Sequence, residues 1–180
     1  MSNIGAYELT PKEAATYTNR LNELLRQLSP TVRLNSEEEW EDGLKQEDAT
    51  FFVAKDNEKK PPDDVVGMSY IFFRWRGEGW YAGIHTVVRD EKYKGQHIGS
   101  LLTLMMIFKA RIRAQQLKRP ISIELTCKPS RETANKMYQE FGFDLVAKAI
   151  PDRDPKTRKV RRDATGKTVY KGTNLYRMKV

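Results

Sequence analysis

The chain has 180 residues, of which 39% are hydrophobic and 31% charged, and its formal net charge at pH 7 is +8. These values predict one folded domain over residues 1–180 and exclude wholesale disorder. No stretch approaches the roughly 20 apolar residues of a membrane helix, so we expect no membrane association. One cysteine and two histidines exclude an internal disulfide and leave little material for a metal site. We therefore expect no bound metal and a cytoplasmic location.

The positive charge is concentrated towards the C-terminus. Residues 1–67 hold 8 Lys/Arg and 14 Asp/Glu, residues 68–147 hold 13 and 7, and residues 148–180 hold 11 and 3. The three net charges are −6, +6 and +8. A basic total is typical of nucleic-acid binders, but this uneven distribution means that each segment has to be interpreted separately.

Two helices are predicted in the acidic N-terminal third. Thr10 to Glu13 has the pattern of a capping box with proline in the first turn. Apolar residues then recur at helical spacing as far as Leu28, where Ser29-Pro30 ends the helix. A second box, Ser36 to Glu39, opens a shorter helix that carries Trp40, and its first-turn glutamates complement the helix dipole.

Strands and helices alternate in the rest of the chain. Residues 50–55 are predicted to form a strand, and residues 65–75 and 80–88 a hairpin. A long helix over 98–117 follows, with an apolar stripe, then a strand over 121–126 and a helix capped by Gly142. Strands over 143–150 and 173–180 complete the chain. The order predicts an α/β (α+β) fold, a mixed sheet flanked by helices. The predicted stripe is Ile98, Leu101, Leu102, Met105, Phe108 and Ile112.

The loop before the long helix, Tyr93 to Ser100, contains Gly95 and Gly99. Glycine lets the backbone turn sharply and approach a ligand closely, and a helix N-terminus offers unpaired amides at its positive end. The loop is therefore either a phosphate site or an ordinary strand-to-helix turn. It lacks the glycine patterns of dinucleotide folds and P-loops, which gives a nucleotide hydrolase no support.

Two segments resemble the GNAT N-acetyltransferase superfamily. Ile84 to Gly99 resembles the family's strand, loop and helix, whose loop has the pattern Arg/Gln-x-x-Gly-x-Gly/Ala. Lys128 to Phe143 resembles the family's helix with Ala-x-x-x-Tyr, followed by Gly-Phe. The resemblance spans about residues 5–150 and the final strand. It implies a GNAT-like, mostly antiparallel, twisted sheet flanked by helices, and acetyl transfer from acetyl-CoA.

The resemblance also implies which residues contact acetyl-CoA. The loop amides would bind the pyrophosphate, and the preceding strand would splay from its neighbour so that its free backbone groups pair with the pantetheine arm. A helix asparagine would either orient backbone near CoA or simply lie on the surface. By position, the cofactor residues are Val87, Val88, Arg89, Lys94, Gly95, Gln96, His97, Ile98, Gly99, Ser100 and Asn135.

Two loop residues depart from the family pattern. Lys94 replaces the usual Arg/Gln and keeps a cation, whereas His97 replaces the first glycine of the motif. A side chain at His97 either restricts the turn and crowds the phosphates, or presents a ring proton to the phosphate oxygens.

Acyl transfer to an amine needs a neutral amine, a polarised carbonyl and a proton for the leaving thiolate. Histidine titrates near neutral pH and is a natural base, and His85 lies on the strand beside the expected thioester position. The resemblance implies that Tyr138 protonates the thiolate. Each residue also has a structural interpretation: Tyr138 as a core aromatic, and His85 as a partly buried histidine that only forms hydrogen bonds.

Other polar residues have weaker functional interpretations. Glu124 is either a second carboxylate for the amine or a solvent-facing strand residue. Cys127 is predicted to be a small core or loop residue, because no base for a thiolate is evident in the sequence. The acidic residues of the second helix either attract a cationic amine or form a solvated face. They are Glu37, Glu38, Glu39, Glu41 and Asp42.

An enlarged basic hairpin is predicted at about 151–172, with its cations between residues 153 and 171. A solvated hairpin is the favoured interpretation; the others are a nucleic-acid or phosphate-bearing partner, a wall of the acceptor groove, or a contact to the 3′-phosphate of CoA. The predicted function is acetyl transfer from acetyl-CoA to a small amine, a protein amine or an aminoacyl-tRNA. The alternative is a non-catalytic binding module of the same fold that holds its partner through the hairpin.

Overall fold

The computed structural model describes residues 3–148, 150–151, 170–171 and 173–180. Four α-helices and nine strands are present in these residues. The helices are α1 Ala14–Leu28, α2 Glu37–Leu44, α3 Ile98–Leu117 and α4 Glu132–Glu140. The strands are β1 Ile4–Glu8, β2 Ala49–Asp56, β3 Val65–Arg76, β4 Gly79–Arg89, β5 Ile121–Cys127, β6 Asp144–Ala147, β7 Ile150–Pro151, β8 Tyr170–Lys171 and β9 Asn174–Lys179.

Seven strands form one sheet in the order β1-β2-β3-β4-β5-β9-β6. All neighbours in this sheet are antiparallel except β4 and β5, which are parallel. The predicted fold class, a mixed and mostly antiparallel sheet flanked by helices, is confirmed. No helix in the described part of the chain is both long and apolar enough to span a bilayer.

Both predicted capping boxes are present at the helix starts. The Glu13 carboxylate accepts bonds from the Thr10 amide at 2.9 Å and the Thr10 hydroxyl at 2.8 Å. The Ser36 amide donates to Glu39 at 2.9 Å, and the Glu39 amide donates to the Ser36 hydroxyl at 3.2 Å. The bonds are reciprocal at Ser36, whereas both Thr10 groups donate to Glu13 and cap a 3₁₀ turn, Pro11–Glu13, that leads into α1. Short-range sequence patterns therefore mark where both helices begin.

Two buried clusters lie on opposite faces of the sheet. Successive strand residues point to opposite faces, and in β2 Phe52 and Ala54 join the cluster that includes α3 and α4, whereas Val53 joins the cluster that includes α1 and α2. The sheet is therefore covered on both sides, and the carboxyl ends of β4 and β5 are held between the two helical layers.

Helix α3 buries a different face from the one predicted. Ile98, Leu102, Met106 and Ala110, spaced four residues apart, are all at most 1% exposed, whereas Phe108 is 59% exposed. The predicted stripe is therefore wrong at Phe108. Because α3 carries apolar residues on nearly all sides, their spacing does not determine which face contacts the sheet.

The single strand predicted over 143–150 is divided in the structure. β6 ends at Ala147, and β7 pairs with β8 in a separate two-stranded sheet. Residues 149, 152–169 and 172 of the chain lie outside the described residues. The role assigned to the basic hairpin at 151–172 therefore stays a prediction.

Ser69 of β3 has a hydroxyl that is buried without a partner. Its residue is 0% exposed, and its Oγ has no hydrogen-bond partner among the described residues. We expect Ser69→Ala to raise the free energy of unfolding by about 1 kcal/mol, because the change removes a hydroxyl that has lost water without gaining a partner. Urea denaturation measures the difference.

The matched control is Thr103→Val. Thr103 is equally buried, but its hydroxyl donates to the Gly99 carbonyl at 2.8 Å, so this variant should lose stability. A loss of stability in Ser69→Ala would instead mean that the Ser69 hydroxyl bonds a buried water.

Candidate functional site

Strand β4 separates from β5 at a defined point. Their parallel pairing ends at Ile84 and Leu125, whereas β5 continues beside β9 to Cys127. β4 itself continues to Arg89, paired only with β3 among the described strands. A wedge therefore opens between β4 and β5, and within the described part of the chain no strand pairs with the backbone groups on its β4 side. The predicted strand residues of the cofactor site lie on this free segment: Val87, Val88 and Arg89.

A β-bulge lies at the mouth of the wedge. Thr86 and Val87 together oppose the single residue Ser69 of β3. The φ of Thr86 is 56°, a left-handed conformation that β-branched residues rarely adopt. Bulges bend the strand that carries them, and strained backbone concentrates at functional sites. The bend occurs just after the last residue of β4 that pairs with β5.

Past the wedge, the chain enters a loop that leads to the N-terminus of α3. The Gln96 amide closes a turn on the Tyr93 carbonyl at 3.3 Å, so it is already used. Five other amides have no acceptor among the described residues, and they lie at the positive end of the α3 dipole. The arrangement fits a pyrophosphate. The open amides belong to Gly95, His97, Ile98, Gly99 and Ser100.

His97 makes the turn in a left-handed backbone conformation. It is the N-cap residue of α3, with φ 55° and ψ 19°, and Gly95 has φ 87°. Histidine is among the residues enriched at positive φ, so the loop reaches the turn without the glycine of the family pattern. The His97 side chain makes no capping bond and is exposed, which leaves its ring available to a ligand at the amides.

Buried polar contacts hold the start of this loop. Arg20 of α1 donates to the Val65 carbonyl at 2.8 Å and forms an ion pair with Asp90. Burial raises the pKa of Asp90, but the bonds from Arg20 and from backbone outweigh it and leave that pKa below its usual value. The Tyr93 hydroxyl donates to Asp56 at 2.7 Å. These contacts tie the start of the loop to α1 and β2.

Tyr138 is buried where β5 ends. It is 5% exposed and packs against Phe143 and Tyr176, with ring centroids 6.1 and 5.7 Å away. Burial raises the pKa of its hydroxyl, and the neighbouring Cys127 adds to the rise. Its hydroxyl makes no hydrogen bond with the described residues. Tyr138 is thus both a core aromatic and a protonated donor that still lacks an acceptor.

Asn135 connects three segments around Tyr138. Its side-chain nitrogen donates to the carbonyls of Lys128 at 2.9 Å and Arg131 at 2.8 Å. Its oxygen accepts from the Asn174 amide at 2.8 Å and the Tyr176 hydroxyl at 2.7 Å. These four hydrogen bonds use the amide hydrogens and the oxygen of the Asn135 side chain. They link the turn between β5 and α4 to strand β9.

The His85 side chain is exposed. It points to the side of the sheet on which α1 and α2 pack. Its ring stacks on Tyr70 and Phe72, with centroids 5.3 and 5.2 Å away. Gly83 makes this possible, since a Cβ there would lie 2.4 Å from the Phe72 ring. Desolvation between the aromatic rings lowers the pKa of His85 below the 6.5 of a free imidazole, so the ring is neutral at pH 7 and able to accept a proton.

A cavity of about 330 Å³ adjoins these rings, between α2 and the face of β2 to β4. Its lining includes the bulge residue Thr86 and one of the five acidic residues of α2, Glu39. Glu39 accepts a bond from the Ser36 amide and pairs with Arg33. The cavity thus has mostly apolar walls, one ion-paired carboxylate and, at Thr86, a border with the bulge.

Glu124 and Cys127 lie near the site but are already engaged. Glu124 accepts a bond from Arg177 at 2.8 Å and lies 3.8 Å from Arg76. Burial raises the pKa of the Cys127 thiol, which keeps it protonated and a poor nucleophile. The described residues contain no group of three or more His, Cys, Asp or Glu that could hold a metal ion.

Sequence reasoning missed the bulge and the cavity. Thr86 has no signal in a single sequence, because its conformation follows from strand pairing. The cavity wall did have a signal in the sequence, because Tyr70, Phe72 and Arg74 alternate along β3 and therefore share a face. Gly83, two residues before His85, was the other sign that a large side chain crosses β4 there.

A family model described as Acetyltransferase (GNAT) family matches residues 17–143. The match begins in α1 and ends just before β6, so it contains the wedge, the loop and Tyr138. No curated protein matches the chain.

Solved structures share the fold at low identity. Arabidopsis thaliana NAA60 in complex with acetyl-CoA has a TM-score of 0.70 at 15% identity, over 99% of both chains. The NatC complex bound to Gag peptide and CoA has a TM-score of 0.67 at 16% identity, over 100% of this chain and 98% of the other. The ribosomal-protein-S18-alanine N-acetyltransferase from Escherichia coli has a TM-score of 0.63 at 12% identity, over 98% of this chain and 94% of the other.

Proposed function

Because the chain belongs to the GNAT acetyltransferase family, we propose that it transfers the acetyl group of acetyl-CoA directly to an amine. Acetyl-CoA supplies the activated acyl group, and the chain's own residues hold it, position the amine and move two protons. The NAA60 structure contains acetyl-CoA and the NatC structure contains CoA, which supports the choice of co-substrate.

The observation that carries the proposal is the wedge between β4 and β5, which leads to five open amides. The free β4 backbone from Val87 to Arg89 would hold the pantetheine arm by strand-like hydrogen bonds. The amides of Gly95 and His97 to Ser100 would hold the pyrophosphate at the α3 N-terminus. Lys94, exposed in the same loop, adds positive charge for a polyanionic ligand.

The two proton-transfer residues flank the mouth of the wedge. His85 is neutral at pH 7 and takes the proton of the attacking amine, directly or through a water. Tyr138 donates its proton to the leaving thiolate, a role that requires a protonated hydroxyl, as its raised pKa ensures. Cys127 remains a thiol, which favours direct transfer over a covalent enzyme intermediate.

A thiol-release assay with the full chain and acetyl-CoA tests the proposal. The acceptor panel comprises small primary amines, peptides with free N-termini and an aminoacyl-tRNA, and each acceptor has a matched form with its amine blocked. We expect release of CoA only with free amines, together with addition of one acetyl group to the acceptor by mass spectrometry. A chain that binds acetyl-CoA but releases no thiol with any acceptor would instead be the non-catalytic binding module.

His85→Gln tests the base. Since a base must be neutral to accept a proton, kcat/KM of the unmodified chain should rise with pH through the lowered pKa of His85, in addition to the rise at the pKa of the acceptor amine. The variant should lose this limb and roughly tenfold or more of its rate at pH 7, while a limb at the acceptor amine's own pKa remains. An unchanged pH–rate profile would remove His85 from the mechanism.

A further inference from the structure

We infer that the acceptor is an amine that also carries an anionic group, a carboxylate or a phosphate, and that Arg74 binds this group. The inference rests on the proposed acetyl transfer, because it places the acceptor in the cavity beside His85. It adds to that function the chemical class of the substrate.

The position of Arg74 follows from the strand register. Tyr70, Phe72 and Arg74 alternate along β3 and share the face that lines the cavity. The Arg74 guanidinium lies 4.9 Å from the centroid of the Phe72 ring, and that ring lies 5.2 Å from the His85 ring. The guanidinium is therefore no more than about 10 Å from the imidazole, which is within the length of a small molecule or a dipeptide.

Charge also distinguishes Arg74 from the other ionic side chains around the cavity. Glu39 is paired with Arg33. Arg76, two residues after Arg74 in β3, lies 3.8 Å from Glu124. Among the described residues, Arg74 has no carboxylate within the 4 Å of an ion pair. It is the cation of the cavity lining that remains available to a ligand.

Stacking leaves the guanidinium ready to bind an anion. A guanidinium that lies over an aromatic ring uses its face for the contact, while its N–H donors point outward in the plane. Such donors match the two oxygens of a carboxylate or phosphate. The Phe72 ring lies between Arg74 and His85, and Tyr70 stacks on His85 from the opposite position of β3. The acceptor that fits therefore has an apolar or aromatic section between its amine and its anion.

Thiol release by the full chain tests the inference with two matched pairs of acceptors. The small-molecule pair is 4-(aminomethyl)benzoate and benzylamine; the peptide pair is a tripeptide amide with Glu at position 2 and its Gln counterpart. We expect the anionic member of at least one pair to have about tenfold higher kcat/KM. A preference in the first pair indicates a small anionic amine as substrate, and a preference in the second indicates a peptide N-terminus.

Variants assign the preference to Arg74. Arg74→Gln should raise KM for the anionic acceptor about tenfold with little change in kcat, and Arg74→Lys should keep part of the preference. Arg113→Gln is the matched control, because its guanidinium also lies over an aromatic ring, 5.8 Å from the Trp80 centroid, but outside the cavity lining; it should keep the full preference.

Two results would overturn the inference alone: equal kcat/KM within both pairs, or a preference that survives Arg74→Gln. Loss of acetyl-CoA binding or of all thiol release would overturn the proposed function, and the inference with it. The two failures are therefore distinguishable in the same assay.

Discussion

Tyr138→Phe is expected to lower kcat by about 10² to 10³-fold without lowering the free energy of unfolding. The loss reflects the usual contribution of a positioned general acid. Stability should be unchanged or slightly higher, because the Tyr138 hydroxyl bonds to none of the described residues and its removal therefore breaks no bond within them. Steady-state kinetics and urea denaturation of the same preparation measure both quantities.

Tyr176→Phe is the matched control for this prediction. Tyr176 packs against Tyr138 at 5.7 Å, but its hydroxyl donates to Asn135 at 2.7 Å. Its removal should cost about 1 kcal/mol of stability and leave most of kcat. The two variants should therefore show opposite patterns. Full kcat in Tyr138→Phe would leave Tyr138 as a core aromatic and remove it from the mechanism.

Gly99→Asp is expected to weaken acetyl-CoA binding by about 100-fold while it stabilises the fold by about 0.5–1 kcal/mol. Gly99 is the second residue of α3, and a Cβ there would meet no atom within 4 Å. An aspartate in the first turn of a helix complements the dipole and replaces a poor helix former. The same carboxylate lies among the open amides, where it repels a pyrophosphate, and like charges in contact cost several kcal/mol.

Equilibrium dialysis with acetyl-CoA and urea denaturation separate these two effects. Gly99→Ala is the control, since it gains helix propensity without a charge and should keep most of the affinity. If Gly99→Asp bound acetyl-CoA as tightly as the unmodified chain, the α3 N-terminus would not be the pyrophosphate site.

The sequence was most informative where bonds are local. The capping boxes at Thr10 and Ser36, the start of α3 at Ile98 and the stop at Gly142, with φ 86°, each depend on a few neighbouring residues. Such patterns are visible in a single chain, because the partners are three or four positions apart.

Features that depend on distant partners were predicted less well or missed. The predicted buried face of α3 was wrong at Phe108, because the side of the helix that contacts the sheet is determined by strands far away in sequence. The bulge at Thr86 arises from pairing with β3. Asn135 was predicted either to orient backbone near CoA or to lie on the surface, and its contact with CoA stays a prediction. Its bonds to Asn174 and Tyr176 are contacts that no spacing predicts.

The most direct test of the central claim is a calorimetric titration of the unmodified full chain with acetyl-CoA. We predict saturable binding to one site per chain, with a dissociation constant in the range of about 1 μM to 1 mM in which enzymes commonly bind their substrates. No detectable heat of binding at millimolar acetyl-CoA, from a chain that denaturation shows to be folded, would contradict the account.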